Sequence, residues 1–204
     1  MIVVGLTGSI GMGKSTVGRM IKDMGYPVHD ADAAVHKALG PNGAAIPDIK
    51  AHFPSVIKTD ENGKNPYVDR GALGKIVFSD PKKLKILEDI THPLARSSRE
   101  AFLKACRKRG DKLAVLDIPL LFETGLDKIT DVTFCVSSAK DIQRARVLAR
   151  PGMSEERFDK IVASQMPDKD KRQKADFVIA TDVPLDETKK IVKKAINEVL
   201  QRAK

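Results

Sequence analysis

The sequence predicts an α/β fold, a parallel sheet covered by helices on both faces, and three observations carry that expectation. The first is Gly8-Ser9-Ile10-Gly11-Met12-Gly13-Lys14-Ser15, a G-x-x-x-x-G-K-S stretch. It lies between the apolar run at residues 2–6 and a stretch with Val17, Met20, Ile21 and Met24 on one helical face. The second is the alternation of short apolar runs with helical patterns along the chain, which is how a parallel sheet with crossover helices reads. The third is the run Leu113-Ala114-Val115-Leu116-Asp117, apolar until it closes on a carboxylate.

Element by element, residues 2–6 form the first strand, and Gly25 stops the helix that follows the glycine loop. Residues 26–29 form the second strand. Asp30-Ala31-Asp32 then opens a helix over 33–39, which Gly40-Pro41-Asn42-Gly43 breaks. From residue 44 to about 96 no strand of the core type is visible. A turn-rich loop at 58–66 precedes helical stretches at 70–78 and 81–91, so this region reads as a helical insert. A helix over 95–109 with a basic end leads to the strand at 113–117, and another strand covers 132–136. Residues 141–165 are helical and heavily charged, interrupted at Pro151-Gly152. The last strand is 177–180. A closing helix from 186 onward places Ile191, Ala195, Ile196, Val199 and Leu200 on its apolar face.

Composition bounds the function. The chain has 204 residues and a net charge of +9, which points to an anionic partner, polyphosphate nucleotide or nucleic acid alike. With no Trp and two Tyr, a base-stacking platform for single strands is not expected. Cys106 and Cys135 form no C-x-x-C pair and the four histidines make no zinc spacing, so two buried thiols in a reducing compartment are expected. No signal peptide or membrane span is read in the sequence, and the default expectation is a cytoplasmic enzyme, monomeric or weakly homo-oligomeric, without nucleic-acid or membrane partners.

The glycine loop carries the clearest chemistry. Between a strand and a helix N-terminus, such glycines let backbone N–H groups turn around a polyphosphate, and the helix dipole adds to the field. The expected contacts to the polyphosphate are Gly8, Gly11, Met12, Gly13, Lys14, Ser15 and Thr16. Lys14 reaches the β- and γ-phosphates, while the Ser15 hydroxyl and Asp117 are the expected ligands of Mg²⁺. Asp30 and Asp32 stand at the carboxyl end of the second strand, the edge at which open parallel sheets bind ligands. One of the pair is expected to cap the following helix and the other to accept the proton of an attacking hydroxyl. Arg146 and Arg150, spaced i and i+4, read as one helix face, either a solvated basic face or a clamp on a transferring phosphoryl group.

These segments together resemble the dephospho-coenzyme A kinase family over residues 4–182, nearly the whole chain. Beyond the glycine loop and Asp30-Ala31-Asp32, the resemblance rests on Asp69-Arg70-Gly71-Ala72-Leu73-Gly74 with Val77-Phe78, on Thr91-His92-Pro93, and on Leu116-Asp117-Ile118-Pro119-Leu120-Leu121-Phe122-Glu123. Gln143, Arg146, Arg150, Gln165, Lys171 and Ala175-Asp176 complete it. The resemblance implies a P-loop kinase core (residues 1–32, 97–139 and 172–204), a helical substrate-binding insert (33–96) and a helical lid (140–171). It implies ATP and dephospho-CoA as substrates with Mg²⁺, Asp32 as the base, and Lys14, Arg146 and Arg150 as catalytic cations. Asp30, Arg70, His92 and Leu120 fall on the substrate side. One departure is Ala180-Thr181-Asp182, where the family often carries an Asn after the last strand.

Rival readings are another small-molecule P-loop kinase, which does not explain residues 119–123, and a basic P-loop NTPase that binds nucleic acid. A GTPase switch needs an Asn-Lys-x-Asp guanine reader, which the sequence lacks, and its only D-x-x-G match, Asp60-Glu61-Asn62-Gly63, lies in a turn-rich loop.

Overall fold

In the computed structural model, which describes residues 1–202, strand β1 (Ile2–Thr7) runs into the glycine loop and helix α1 (Lys14–Asp23). Strand β2 (Val28–Asp30) passes directly into α2 (Ala31–Leu39). There follow α3 (Ile46–His52), the short strands β3 (Ile57–Lys58) and β4 (Tyr67–Val68), α4 (Arg70–Val77) and the long α5 (Pro81–Arg109). Strands β5 (Leu113–Asp117) and β6 (Val132–Ser137) precede α6 (Lys140–Leu148), α7 (Glu155–Ala163) and α8 (Asp168–Lys174). The chain closes with β7 (Phe177–Ala180) and α9 (Leu185–Arg202). Two compact units result: Met1–His29 with the chain from Ala105 onward, and Asp30–Lys104.

The first unit is built on a five-stranded sheet in the order β2-β5-β1-β6-β7. β1 pairs in parallel with β5 and β6, and β6 with β7. The central strands are buried along nearly their whole length because both faces are covered, with Thr7, Asp117, Thr133 and Ser137 as their polar members. On one face Val4, Leu6, Val115, Phe134, Val136 and Ile179 pack with Val17 and Ile21 of α1 and Val192, Ala195, Ile196 and Val199 of α9. On the other, Gly5 makes room for Leu121, since a Cβ at residue 5 would stand 2.7 Å from Leu121 Cδ2. Cys106 and Cys135 are buried free thiols, and burial pushes the Cys135 thiol up to about 12.

The second unit has its own core, in which Leu39, Ile49, Phe53, Val56, Val68, Leu73 and Val77 are packed by Leu84, Leu87, Ile90 and Leu94 of α5. Two features differ from the sequence expectation. The turn-rich loop is the tip of a two-stranded antiparallel ribbon, β3 with β4, closed by Asp60 Oδ1, which accepts from Asn62 N and Lys64 N. Two-residue strands are too short to leave a period in the sequence. The stretches at 81–91 and 95–109 are one continuous helix with Pro93 inside it. Pro93 is exposed, so the Asp89 carbonyl deprived of its N–H partner can turn to water.

Candidate active site

Strand register sets the site. Leu6 lies level with Asp117, Thr7 with Cys135, and Ser137 with Ala180, so the carboxyl ends of β5, β1, β6 and β7 form one edge. The glycine loop leaves β1 at that edge and passes tightly against its neighbours. A Cβ on Gly8 would stand 2.2 Å from Val136 Cγ2 and 2.8 Å from the Val136 carbonyl oxygen. Gly13, with φ 88°, is the left-handed residue from which α1 starts. Met12 is buried and fastens the loop: its Sδ accepts from Ser138 N and Oγ, and its carbonyl accepts from Thr181 Oγ1 at 2.7 Å. α1 begins at Lys14, with Thr16 N and Val17 N donating to the Gly13 carbonyl, and the positive end of its dipole lies at the glycine loop, where an anion is favoured.

Lys14 Nζ is paired with Asp117 Oδ1, both side chains largely shielded from water. The exposed Ser15 follows Lys14 in the first turn. Among the described residues no group of three or more His, Cys, Asp or Glu could hold a metal ion by itself. The donors at hand, a hydroxyl and a carboxylate, are hard oxygens. They fit a Mg²⁺ that brings phosphate oxygens and water with it, and they offer no thiolate or imidazole for a softer metal.

The segment after β6 closes over this edge. α6 ends at Leu148, so Arg150 lies beyond the Ala149 cap, and the expectation that Arg146 and Arg150 share a helix face is not met; Pro151-Gly152 ends the helix first. Arg146 donates to Thr181 Oγ1 at 3.2 Å and to the Thr181 carbonyl at 2.6 Å. Thr181 N in turn donates to the Ser137 carbonyl. Thr181 thus joins the glycine loop, β6 and Arg146, a role that sequence reasoning missed; a hydroxyl residue just past the last strand was its only trace. α6 and α7 are braced by an Arg144–Glu155 ion pair, and the Arg144 guanidinium lies 5.9 Å from the centre of the Phe158 ring.

A second knot was also missed. Lys171 of α8 is fully buried, and its Nζ donates to Glu123 Oε1 at 2.8 Å and to the Pro119 carbonyl at 3.1 Å. Glu123 Oε1 also accepts from Met166 N at 2.9 Å. Burial pushes the Glu123 carboxyl up, but these hydrogen bonds outweigh it and hold the group below its ordinary range. Leu120 sits half-exposed on the turn between Pro119 and Glu123. Asp176 ties β7 to β6 by accepting from Thr133 N and Oγ1 at 2.8 and 2.7 Å.

The remaining site residues belong to the second unit. Asp30 is the N-cap of α2, its Oδ1 accepting from Ala33 N at 2.9 Å, and Asp32 stands exposed in the first turn. Asp30 is therefore the capping member of the pair. Arg70 opens α4 behind its cap Asp69 and borders a cavity of about 670 Å³ with His36, Pro41 and Tyr67. His92 is exposed in the middle of α5 and does not lie between two helices. Among the described residues no helix is long and apolar enough to cross a membrane.

Comparison with known proteins agrees with this architecture. A family model described as dephospho-CoA kinase matches residues 2–187. The chain is 47% identical over 199 residues to a dephospho-CoA kinase of Mesorhizobium japonicum, covering 98% of this chain and 97% of that one. A solved Thermus thermophilus structure matches all of this chain and 98% of its own at TM-score 0.80 and 33% identity. The solved dephospho-CoA kinase of Campylobacter jejuni matches 99% of this chain and 98% of its own at TM-score 0.71 and 27% identity. A family model over residues 2–187 and relatives 47% identical over nearly the whole chain, joined to a glycine loop at this sheet edge, lead to one conclusion: the chain belongs to the dephospho-CoA kinase family.

Proposed function

We propose that the protein transfers the γ-phosphoryl group of ATP to the ribose 3′-hydroxyl of dephospho-CoA, giving CoA and ADP. The observation that carries this reading is the glycine loop fixed at the carboxyl edge of the sheet, with Lys14 and Asp117 side by side at its mouth. A polyphosphate in the loop draws Lys14 to its β- and γ-oxygens and releases Asp117 from the ion pair. Ser15 and Asp117 then hold Mg²⁺, which enters with ATP as part of the substrate and neutralises charge developing on the β- and γ-phosphates.

The chain's own residues do the rest. Gly8, Gly11, Met12, Gly13 and Thr16 present the loop backbone to the phosphates. Asp32 accepts the proton of the attacking hydroxyl, and Asp30, by capping α2, fixes the turn that presents it. Arg146 and Arg150, on the lid of residues 140–171, meet the charge spread over the transferring group. Arg70 and His92, on the insert of residues 33–96, serve the acceptor, as does Leu120 on the turn after β5. Among the ligands of this reading, both ATP and dephospho-CoA are polyanionic, which accords with the net charge of +9.

The deciding experiment incubates the protein with Mg²⁺, ATP and dephospho-CoA and maps the new phosphate by mass spectrometry with fragmentation. CoA phosphorylated at the ribose 3′ position is expected. ATP consumption without that product, or with nucleosides or sugars as the better acceptors, would replace the reading with that of another small-molecule P-loop kinase.

A further inference from the structure

We infer that Gln143 and Gln165 are positioning residues that fix the curvature of the phosphate loop, by gripping the two ends of residue Ile10 with opposite hydrogen-bond polarity. Gln143 Nε2 donates to the Ile10 carbonyl at 2.8 Å, and Ile10 N donates to Gln165 Oε1 at 3.0 Å. The orientation of each amide follows from its partner, since a backbone N–H accepts nothing and a carbonyl donates nothing. The two grips come from different segments, one on α6 and one just past α7.

Each segment is itself anchored. α6 lies directly on the loop: a Cβ on Gly11 would stand 2.5 Å from Val147 Cγ2 and 3.0 Å from the Gln143 carbonyl oxygen. Next to Gln165, Met166 N is held by Glu123, which Lys171 also binds. The loop tip is therefore held between two supports that are tied to the protein's own core. A loop whose curve is set by the protein's own side chains spends less binding energy on ordering its N–H groups around the phosphates. The inference deepens the proposed function, because it rests on the loop being the ATP site.

The test exchanges polarity at both positions. Gln143→Lys keeps a donor and Gln165→Glu keeps an acceptor, whereas Gln143→Glu and Gln165→Lys place the wrong group against Ile10. Both side chains border a cavity of about 610 Å³, which gives the longer lysine room. ADP affinity by calorimetry, KM for ATP, KM for dephospho-CoA and the melting temperature are measured for all four. Gln143→Glu and Gln165→Lys are expected to weaken ADP binding and raise KM for ATP by about tenfold or more, because each leaves a polar backbone group unsatisfied. Their polarity-keeping counterparts should bind ADP at least about fivefold better than they do. KM for dephospho-CoA should stay within about twofold of wild type throughout.

Where a charged variant fails to fold, Gln143→Met and Gln165→Met, close in shape, are each expected to weaken ADP binding about fivefold. If both lysines tighten and both glutamates weaken ADP binding, charge alone is at work and the inference falls. It falls too if the variants lose melting temperature while the folded protein binds ADP as wild type does. Failure of the wild type to phosphorylate dephospho-CoA would overturn the proposed function and leave the ADP measurements to decide this inference by themselves.

Discussion

Lys14 and Asp117 are the nearest thing to a chemical centre that single residues supply here. Their pairing satisfies two partly buried charges and sets both where a polyphosphate and its cation are expected. Lys14→Ala should lower kcat by about 100-fold or more, since losing one preorganised charge contact in the transition state costs roughly 3 kcal/mol. The circular dichroism spectrum should stay native; a variant keeping more than a tenth of the wild-type kcat would remove Lys14 from the mechanism. The two aspartates of Asp30-Ala31-Asp32 should separate in a complementary way. Asp30→Ala removes the α2 cap and should cost about 1 kcal/mol of stability. Asp32→Asn should leave the melting temperature nearly unchanged and lower kcat by about 100-fold or more. Steady-state kinetics beside thermal melts on both variants check this, and a large kcat loss in Asp30→Asn, which keeps a capping side chain, would reverse the assignment.

At the scale of elements, what matters is how α6, α7 and α8 are fastened. Arg146 leaves the last turn of α6 and is tied to Thr181, whereas Arg150 follows the helix end beside Pro151-Gly152. Arg146→Ala and Arg150→Ala should each slow phosphoryl transfer by about tenfold or more while changing ADP affinity less, because charges placed for the transferring group act most strongly in the transition state. Single-turnover kinetics set against ADP titration separates the two effects. Unchanged rates in both variants would return the pair to a solvated basic face. The Glu123–Lys171 pair gives a stability test. Glu123→Ala strands a fully buried ammonium and should cost about 3 kcal/mol or more, whereas Lys171→Met, which fills the same space without a charge, should cost much less. The Glu123 carboxyl lies below its ordinary value in the folded protein. The stability it contributes is therefore present above the carboxyl range of the unfolded chain and is lost as pH falls through the lower folded value. Urea melts over the acid range should show this loss in the wild type and not in a Glu123→Gln variant.

For the whole molecule, the question is what a 204-residue chain does with two compact units when one of them already holds a complete phosphate loop. Dephospho-CoA is long, and its pantetheine and pyrophosphate portions lie away from the reacting hydroxyl. Binding energy gained there can hold the 3′-hydroxyl in line with the γ-phosphate. Adenosine and AMP, which lack those portions, should therefore lose kcat as well as affinity, with kcat/KM lower by about 1,000-fold or more. Equal kcat/KM for adenosine and dephospho-CoA would show that the second unit contributes no such contacts and would leave a general P-loop kinase.

The sequence by itself determined the five strands of the main sheet, the phosphate loop and the family. Each of these is written in consecutive residues: eight positions from Gly8 to Ser15 define the loop, and five from Leu113 to Asp117 define a buried strand with its acid. Local backbone geometry and hydrophobic period act over such distances, so they can be read one residue after another. Boundaries and continuity were less legible. Pro93 reads as a break, yet α5 runs through it because the packing of Leu84, Leu87, Ile90 and Leu94 in the second core holds the helix together across one missing hydrogen bond. What only the tertiary structure decided are the fastenings of the site. Gln143 and Gln165 reach Ile10 across 133 and 155 residues, Thr181 reaches Met12 across 169, and Lys171 reaches the Pro119 carbonyl across 52. A polar side chain carries no periodic signal that names its partner. Which amide meets which carbonyl is settled only when a parallel sheet stacks four strand ends along one edge and brings distant segments within hydrogen-bond reach.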